Sequence, residues 1–189
     1  MKERYTWIYK LRGILMLPPC ILIVVLPFRE TEHETLTWTL GMAVFLAGVG
    51  VRVWAQTHLH YRLRIRKKLT STGPYAHVRN PIYLANTAML LGLTVLSELL
   101  WFLPLMLAWC AVVYGFVVRR EEAHLLGKYG APYADYLRAV PRWFPRLADR
   151  YATMDARPFL WPSIVAELHC FLWLLPFIGK EVFWSVNGF

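Results

Sequence analysis

The segment at residues 71–85, STGPYAHVRNPIYLA, carries polar and aromatic side chains directly ahead of a long apolar run. Its glycine and prolines predict a turn, with Asn80 extended before a helix that begins at Pro81. A turn alone does not account for the residues beside it, Tyr75, Arg79 and Tyr83. Because helix N-termini attract anions and guanidinium groups bind carboxylates or phosphates in a planar fork, the segment is also a candidate ligand site.

A second polar segment, residues 119–147, contains the adjacent carboxylates Glu121 and Glu122. No helix breaker occurs before Gly130, so one helix is expected to carry both glutamates out of the apolar run. Glutamate near a helix C-terminus opposes the helix dipole, so stabilising the helix does not explain the pair. The two carboxylates either pair with nearby arginines and lysine or hold a cationic ligand group.

The rest of that segment predicts a short amphipathic helix followed by a membrane-surface stretch. The helix is expected to begin at Pro132 and to place four apolar or aromatic residues on one face, Tyr133, Tyr136, Leu137 and Val140. Pro141 and Pro145 should end it. Arg142 and Arg146 flank Trp143-Phe144, an arrangement that suits the headgroup layer of a membrane.

Composition places these segments in a membrane protein. The 189 residues are 57% hydrophobic and 17% charged, whereas soluble domains are roughly half apolar and about a quarter charged. Apolar runs at 14–28, 36–55, 82–118 and 159–178 predict about five transmembrane helices, because the third run is long enough for a tight hairpin of two short spans. The predicted fold class is an all-α polytopic membrane bundle, with residues 1–189 forming one domain.

The charge distribution predicts the topology and excludes one class of partner. With five spans, 19 of the 21 Lys and Arg residues fall on one side, and the opposite loop RETEHETLT is acidic. The positive-inside rule then places the N-terminus in the cytoplasm and the C-terminus on the other side of an inner or endoplasmic reticulum membrane. The net charge of +9 is thereby explained by membrane topology, and no nucleic-acid partner is predicted.

Other polar or small residues within the spans yield weaker expectations. Close helix packing is expected at four small residues, Gly41, Ala47, Gly48 and Gly50. The three cysteines, Cys20, Cys110 and Cys170, are expected to be buried thiols without disulfides. Glu167 and His169 in the last run either form structural pairs or line a substrate route. Histidine spacing beyond the HLH at 58–60 shows no metal pattern, so no metal site is predicted.

In combination, the motifs GPY–VR–P–Y, EE–L, YG–Y–Y and PR–P resemble the isoprenylcysteine carboxyl methyltransferase and phospholipid methyltransferase superfamily. The resemblance covers residues 40–147 and leaves the run at 159–178 as an additional C-terminal helix. Members are integral membrane enzymes that use S-adenosylmethionine without a Rossmann domain. Asn80 stands where the family more often has histidine, so no proton relay is expected there, and Ala85 replaces a frequent glycine.

The resemblance implies a set of site residues. The cofactor-binding residues would be Tyr75, His77, Arg79, Asn80, Pro81, Tyr83, Glu121, Glu122, Tyr133 and Tyr136. The glutamates would hold the ammonium group of the cofactor, and Tyr133, Tyr136 and Arg142 would close the pocket from the cytoplasmic side. The candidate catalytic residues are Glu122, Arg142 and His124. Glu122 or His124 would act as the base if the methyl acceptor is a protonated amine.

The predicted function is transfer of a methyl group from S-adenosylmethionine to a lipophilic acceptor at the cytoplasmic membrane face. An isoprenylcysteine-like carboxylate and a phospholipid amine both fit, and the sequence leaves the acceptor and the oligomeric state open. Three alternatives remain: methylation of a small thiol or amine, an NADPH-dependent enzyme similar to sterol reductases, and a non-catalytic membrane scaffold or transporter.

Overall fold

The computed structural model describes residues 2–26, 34–61, 69–146 and 157–187, and these ranges contain helices and turns without a β-strand. This confirms the all-α prediction. The helices are α1 (Lys2–Val25), α2 (Glu34–Tyr61), α3 (Pro74–His77), α4 (Pro81–Leu96), α5 (Leu103–Tyr129), α6 (Ala131–Ala139), α7 (Leu160–Glu167) and α8 (Leu175–Asn187). Short 3-10 helices occupy Leu100–Phe102, Arg157–Phe159 and Leu168–Leu174.

Three helical stretches of the described chain are long and apolar enough to cross a membrane: Glu34–Leu59, Leu100–Tyr129 and Leu160–Lys180. The other two predicted spans correspond to shorter apolar helices, Gly13–Val25 and Pro81–Leu96. Pro81–Leu96 falls below the usual length of about 20 residues for a spanning helix, whereas Gly13–Val25 is the apolar part of the 24-residue helix α1. The five apolar helices therefore lie where the sequence placed them.

The membrane topology stays a prediction. Part of the charge pattern behind it lies outside the described residues, namely the basic residues Arg62, Arg64, Arg66, Lys67, Lys68 and Arg150 and the loop residues 29–33.

Proline and glycine set most of the helix boundaries, as the sequence indicated. Helix α4 begins at Pro81, whose missing N–H costs nothing in the first turn. Helix α5 ends at Tyr129, directly before Gly130, which has a φ of 61° that an L-residue rarely adopts. Helix α1, by contrast, continues through Pro18 and Pro19 to Val25.

The chain divides into two compact units, and the first draws on Met1–Leu46, Thr87–Val117 and His169–Phe189. Within it, α2 and α4 approach so closely that a Cβ on Gly92 would lie 2.6 Å from the backbone nitrogen of Phe45. A Cβ on Gly41 would lie 3.0 Å from the Gly92 carbonyl oxygen. Gly41 therefore packs as predicted, whereas a Cβ on Gly50, in the other unit, would have no atom within 4 Å.

Side-chain contacts and buried thiols complete the first unit. The Trp109 indole donates to the Leu15 carbonyl at 2.9 Å, and the rings of Phe45 and Phe171 meet edge to face at 6.1 Å. Cys20, Cys110 and Cys170 are buried and free, as predicted.

The second unit comprises Ala47–Asn86 and Val118–Leu168. The predicted amphipathic helix is confirmed as α6, which buries Tyr133, Tyr136 and the following Val140. Partly buried residues pack against them: Leu69, Leu125, Tyr129, Leu137 and Ala139. The prediction that residues 1–189 form one domain stays a prediction.

Candidate functional site

The two polar segments identified in the sequence meet through backbone hydrogen bonds in the second unit. The Arg79 N–H donates to the Pro141 carbonyl at 2.9 Å, and the Arg146 N–H donates to the His77 carbonyl at 3.0 Å. The connection between α3 and α4 therefore lies alongside the stretch that follows α6. Its extended backbone at Val78, with φ −148° and ψ 141°, permits this pairing. As a result, Arg79 and Arg142 lie beside the same carboxylate.

That carboxylate is Glu122, which is buried on α5 and accepts hydrogen bonds from both arginines. Arg79 Nη1 donates to Oε1 at 2.8 Å. Arg142 donates through Nε to Oε1 at 3.1 Å and through Nη2 to Oε2 at 2.5 Å, which is the bidentate fork that guanidinium groups favour. The hydrogen bond to Glu122 raises the pKa of Arg142, against an opposing effect of burial. Both oxygens of Glu122 are therefore engaged by guanidinium groups.

Glu121 connects α5 to α4 through a different donor. The hydroxyl of Tyr83, in the first turn of α4, donates to Glu121 Oε1 at 2.7 Å. Adjacent residues on a helix point about 100° apart, so the two glutamates contact different partners. The pair of carboxylates predicted from the sequence is thus held by residues from both polar segments.

Two aromatic side chains of α6 lie in the same unit as these carboxylates. The rings of Tyr133 and Tyr136 are 5.8 Å apart, and the Tyr136 hydroxyl donates to the Tyr75 carbonyl at 2.8 Å. Burial, followed by the negative charge of Glu122, raises the pKa of Tyr133 well above its ordinary value of 10. Tyr133 therefore keeps its hydroxyl proton at neutral pH, beside the Glu122 cluster.

One donor of the cluster has no acceptor among the described residues. The Nε of Arg79 is buried and makes no hydrogen bond there, although Nη1 of the same side chain is bonded to Glu122. Leaving a buried donor unsatisfied costs free energy, which an acceptor on a bound water, ion or ligand would offset.

The remaining predicted site residues make contacts of their own, and their role in binding stays a prediction. Asn80 Nδ2 donates to the Arg142 carbonyl at 3.4 Å, and Pro81 begins α4. His77 turns to the Arg146 carbonyl, with Nδ1 at 3.0 Å, and its ring lies 6.3 Å from that of Trp54. His124 is exposed, and two residues along the helix from Glu122 it points to the other side of α5, away from the cluster.

A second polar cluster in the same unit contains residues that were not predicted as site residues. Arg52 on α2 pairs through Nε with Glu167 Oε2 at the end of α7, and its Nη1 donates to Asn86 Oδ1 on α4 at 2.5 Å. This pairing accounts for the carboxylate of Glu167 in an apolar helix, whereas His169 is exposed. The available signal was a pair of opposite charges in two apolar runs, 36–55 and 159–178.

Comparison with known proteins gives the family context. The family model described as phospholipid methyltransferase matches residues 36–132. The nickel-cobalt-cadmium resistance protein NccN of Alcaligenes xylosoxydans xylosoxydans is 34% identical over 143 residues, covering 72% of this chain and 65% of the relative. The cobalt-zinc-cadmium resistance protein CzcN of Cupriavidus metallidurans is 35% identical over 119 residues, covering 62% of this chain and 53% of the relative. The chain thus spans less than two thirds of each relative, and no solved structure matches significantly.

Proposed function

The chain belongs to the phospholipid methyltransferase family, and from that premise we propose that it transfers the methyl group of S-adenosylmethionine to a lipophilic acceptor. The acceptor would be a carboxylate similar to that of an isoprenylcysteine, or the amine of a phospholipid. The transfer would take place at the cytoplasmic face of the membrane, where the predicted topology places both polar segments.

The observation that carries this proposal is the cluster of Arg79, Glu122 and Arg142 with its unsatisfied donor. S-Adenosylmethionine has a carboxylate and an ammonium at one end, a sulfonium in the middle and an adenine at the other end. The buried Nε of Arg79 fits the carboxylate, since it is a charged donor that lacks an acceptor among the described residues. The donor set of this site is therefore compatible with the cofactor.

Different residues of the site would bind different groups of S-adenosylmethionine, according to their charge. S-Adenosylmethionine, when bound, supplies the electrophilic methyl group on its sulfonium. Glu122 fixes two guanidinium groups in one orientation through the hydrogen bonds from Arg79 and Arg142. The carboxylate of Glu121, oriented by the Tyr83 hydroxyl, would provide the negative charge that binds the ammonium group. The rings of Tyr133 and Tyr136 offer π faces to a cation or to the adenine.

The need for a base depends on the acceptor. A carboxylate or thiolate attacks without losing a proton, so alignment of the acceptor with the methyl group would supply much of the rate acceleration. A protonated amine must lose a proton first. The assignment of that role to Glu122 or His124 stays a prediction, and the hydrogen bonds to Glu122 favour a role in holding the arginines.

The test uses purified full-length protein with radiolabelled S-adenosylmethionine and a bacterial lipid extract. Glu122→Gln keeps the shape of the side chain and removes its charge, while Asp135→Asn makes the same change in an exposed pair with Arg138 at 3.8 Å. We expect label in the organic phase with the wild type and with Asp135→Asn, and a loss of at least about 100-fold with Glu122→Gln, in the range for a lost electrostatic contact in a catalytic site.

Other outcomes separate the alternatives. Label in the aqueous phase with added thiols or amines would replace the lipophilic acceptor with a small one. Saturable binding of NADPH in place of S-adenosylmethionine would favour the reductase. If folded wild-type protein binds neither cofactor, the methyltransferase proposal is wrong and the scaffold or transporter remains.

The names of the two relatives add a physiological proposal. Both are named for resistance to divalent metal ions, nickel, cobalt and cadmium in one case and cobalt, zinc and cadmium in the other. We propose that methyl transfer by this chain contributes to tolerance of such ions. A metal-sensitive bacterium that expresses the wild type should grow at higher cadmium or cobalt concentrations than one that expresses Glu122→Gln at the same level. Equal growth of the two strains would contradict this role.

A further inference from the structure

We propose that Arg52 is a positioning residue for the cofactor site, because it joins Glu167 to Asn86 and so fixes the place of α4 and of Tyr83. The inference rests on the proposed function, since it concerns the residues that would bind S-adenosylmethionine. Every residue in this chain of contacts belongs to the second unit.

Arg52 makes largely buried contacts with residues on two other helices. Arg52 lies within the candidate span Glu34–Leu59 and Glu167 within Leu160–Lys180. Their side chains are 18% and 3% exposed. Breaking a largely buried ion pair leaves an uncompensated buried charge, so there is a large penalty for separating these two. The guanidinium is planar and donates in fixed directions, and here it serves two partners on two helices. Arg52 therefore constrains the distance between α7 and α4.

Within α4, the position of Asn86 determines the position of Tyr83. Asn86 and Tyr83 are three residues apart, so they lie on one face of the helix about one turn from each other. A shift of α4 by the rise of a single residue, about 1.5 Å, would break a hydrogen bond of ordinary length. The bond at risk is the one from the Tyr83 hydroxyl to Glu121 Oε1, now at 2.7 Å. Holding Asn86 in place therefore holds Tyr83 against Glu121.

Glu167 belongs to a different part of the chain from the residues that it helps to position. The family model ends at residue 132, so Glu167 lies beyond the matched region, while Arg52 and Asn86 lie within it. Helix α7 thus supplies a fixed anchor to the methyltransferase region from outside it. In this proposal, helix α7 contributes to cofactor binding although it lies outside the matched region.

The experiment measures the Kd for S-adenosylmethionine and the melting temperature of the full-length protein and five variants. Asn86→Leu removes the contact with α4 and leaves the Arg52–Glu167 pair intact. Tyr83→Phe removes only the hydroxyl. The variant that carries both substitutions completes a double-mutant cycle between positions 83 and 86. Thr94→Val is the matched control, because Thr94 is buried on the same helix and its hydroxyl donates to the Leu90 carbonyl of that helix, at 2.8 Å.

We expect Asn86→Leu and Tyr83→Phe each to raise the Kd about tenfold, and the double variant to bind no more weakly than the weaker single variant, because residues in one network are not additive. Thr94→Val should bind as the wild type does. Arg52→Lys is a conservative second probe, since lysine keeps the charge for Glu167 but lacks the fork. It should raise the Kd like Asn86→Leu, with a melting temperature close to that of Thr94→Val.

Two results would overturn the inference. If Asn86→Leu and Arg52→Lys lower the melting temperature while the Kd stays at the wild-type value, Arg52 is only structural. If the Asn86 and Tyr83 effects multiply in the double variant, Asn86 does not act through Tyr83. Absence of binding by folded wild-type protein would overturn the proposed function and this inference together, which distinguishes that failure from the other two.

Discussion

Tyr133 is the residue whose ionisation should report on the site. Burial and the charge of Glu122 raise the pKa of Tyr133 in the folded protein above the value of 10 that applies to an unfolded chain. Above pH 10, the unfolded state loses this proton while the folded state keeps it. Folding stability should therefore be unaffected by this group below pH 10 and fall as pH rises further, by at most about 1.4 kcal/mol per pH unit.

The measurement is the unfolding free energy of the wild type and of Tyr133→Phe between pH 8 and pH 11. The variant lacks the ionisable group, so its stability should decline less steeply above pH 10 than that of the wild type, while the two curves run parallel below it. Equal slopes across the whole range would show that Tyr133 is not buried beside the cluster.

Residue identities in the site could be predicted from the sequence more readily than residue pairings. The motifs single out Arg79, Glu122 and Arg142, but the separation of these residues along the chain does not indicate that one glutamate accepts hydrogen bonds from both arginines. Arg52 and Glu167 are 115 residues apart, and nothing in the sequence indicates that they pair with each other. Pairings of this kind depend on tertiary packing, which periodicity and turn residues do not specify.

At the scale of elements, the contact between α2 and α4 makes a sharp prediction about glycine. Gly92→Ala should destabilise the protein by about 1–3 kcal/mol, because the added Cβ would meet the backbone of Phe45 at 2.6 Å and backbone atoms cannot move aside locally. Gly50→Ala is the matched control, since a Cβ there would have no atom within 4 Å. Alanine also favours helix, so that variant should be neutral or more stable by up to about 1 kcal/mol.

Unfolding by denaturing detergent, followed by the loss of helical circular dichroism, would compare the two variants. A Gly92→Ala protein as stable as Gly50→Ala would contradict the close approach of these helices.

The helix boundaries were predictable because local chemistry determines them. Pro81 and Gly130 act through their own backbone restrictions, and the structure begins α4 and ends α5 next to them. The last apolar run was less predictable. A single helix was expected over 159–178, but the structure has α7, a 3-10 helix over Leu168–Leu174 and then α8. No proline or glycine lies between Leu168 and Leu174 to mark that change.

At the scale of the whole molecule, the positive-inside pattern predicts which loops face the cytoplasm. A cysteine introduced as Asp135→Cys should react with a membrane-impermeant maleimide only from the cytoplasmic side, and Glu98→Cys only from the opposite side. The three native cysteines are buried, so background labelling should be low. Labelling of both positions from the same side would contradict the five-span topology.

The ion pair between Arg52 and Glu167 also has a consequence for how homologous sequences can diverge. Loss of either partner leaves the other as an unpaired buried charge, whereas replacing both with apolar residues of similar volume often leaves stability unchanged. A lineage can therefore keep both charges, exchange them or lose both, but a protein that has changed only one of them is at a disadvantage. In an alignment of homologues, the columns for positions 52 and 167 should vary together although they lie far apart in the sequence. The substitutions that a lineage can accept at position 52 would thus depend on which residue it already carries at position 167.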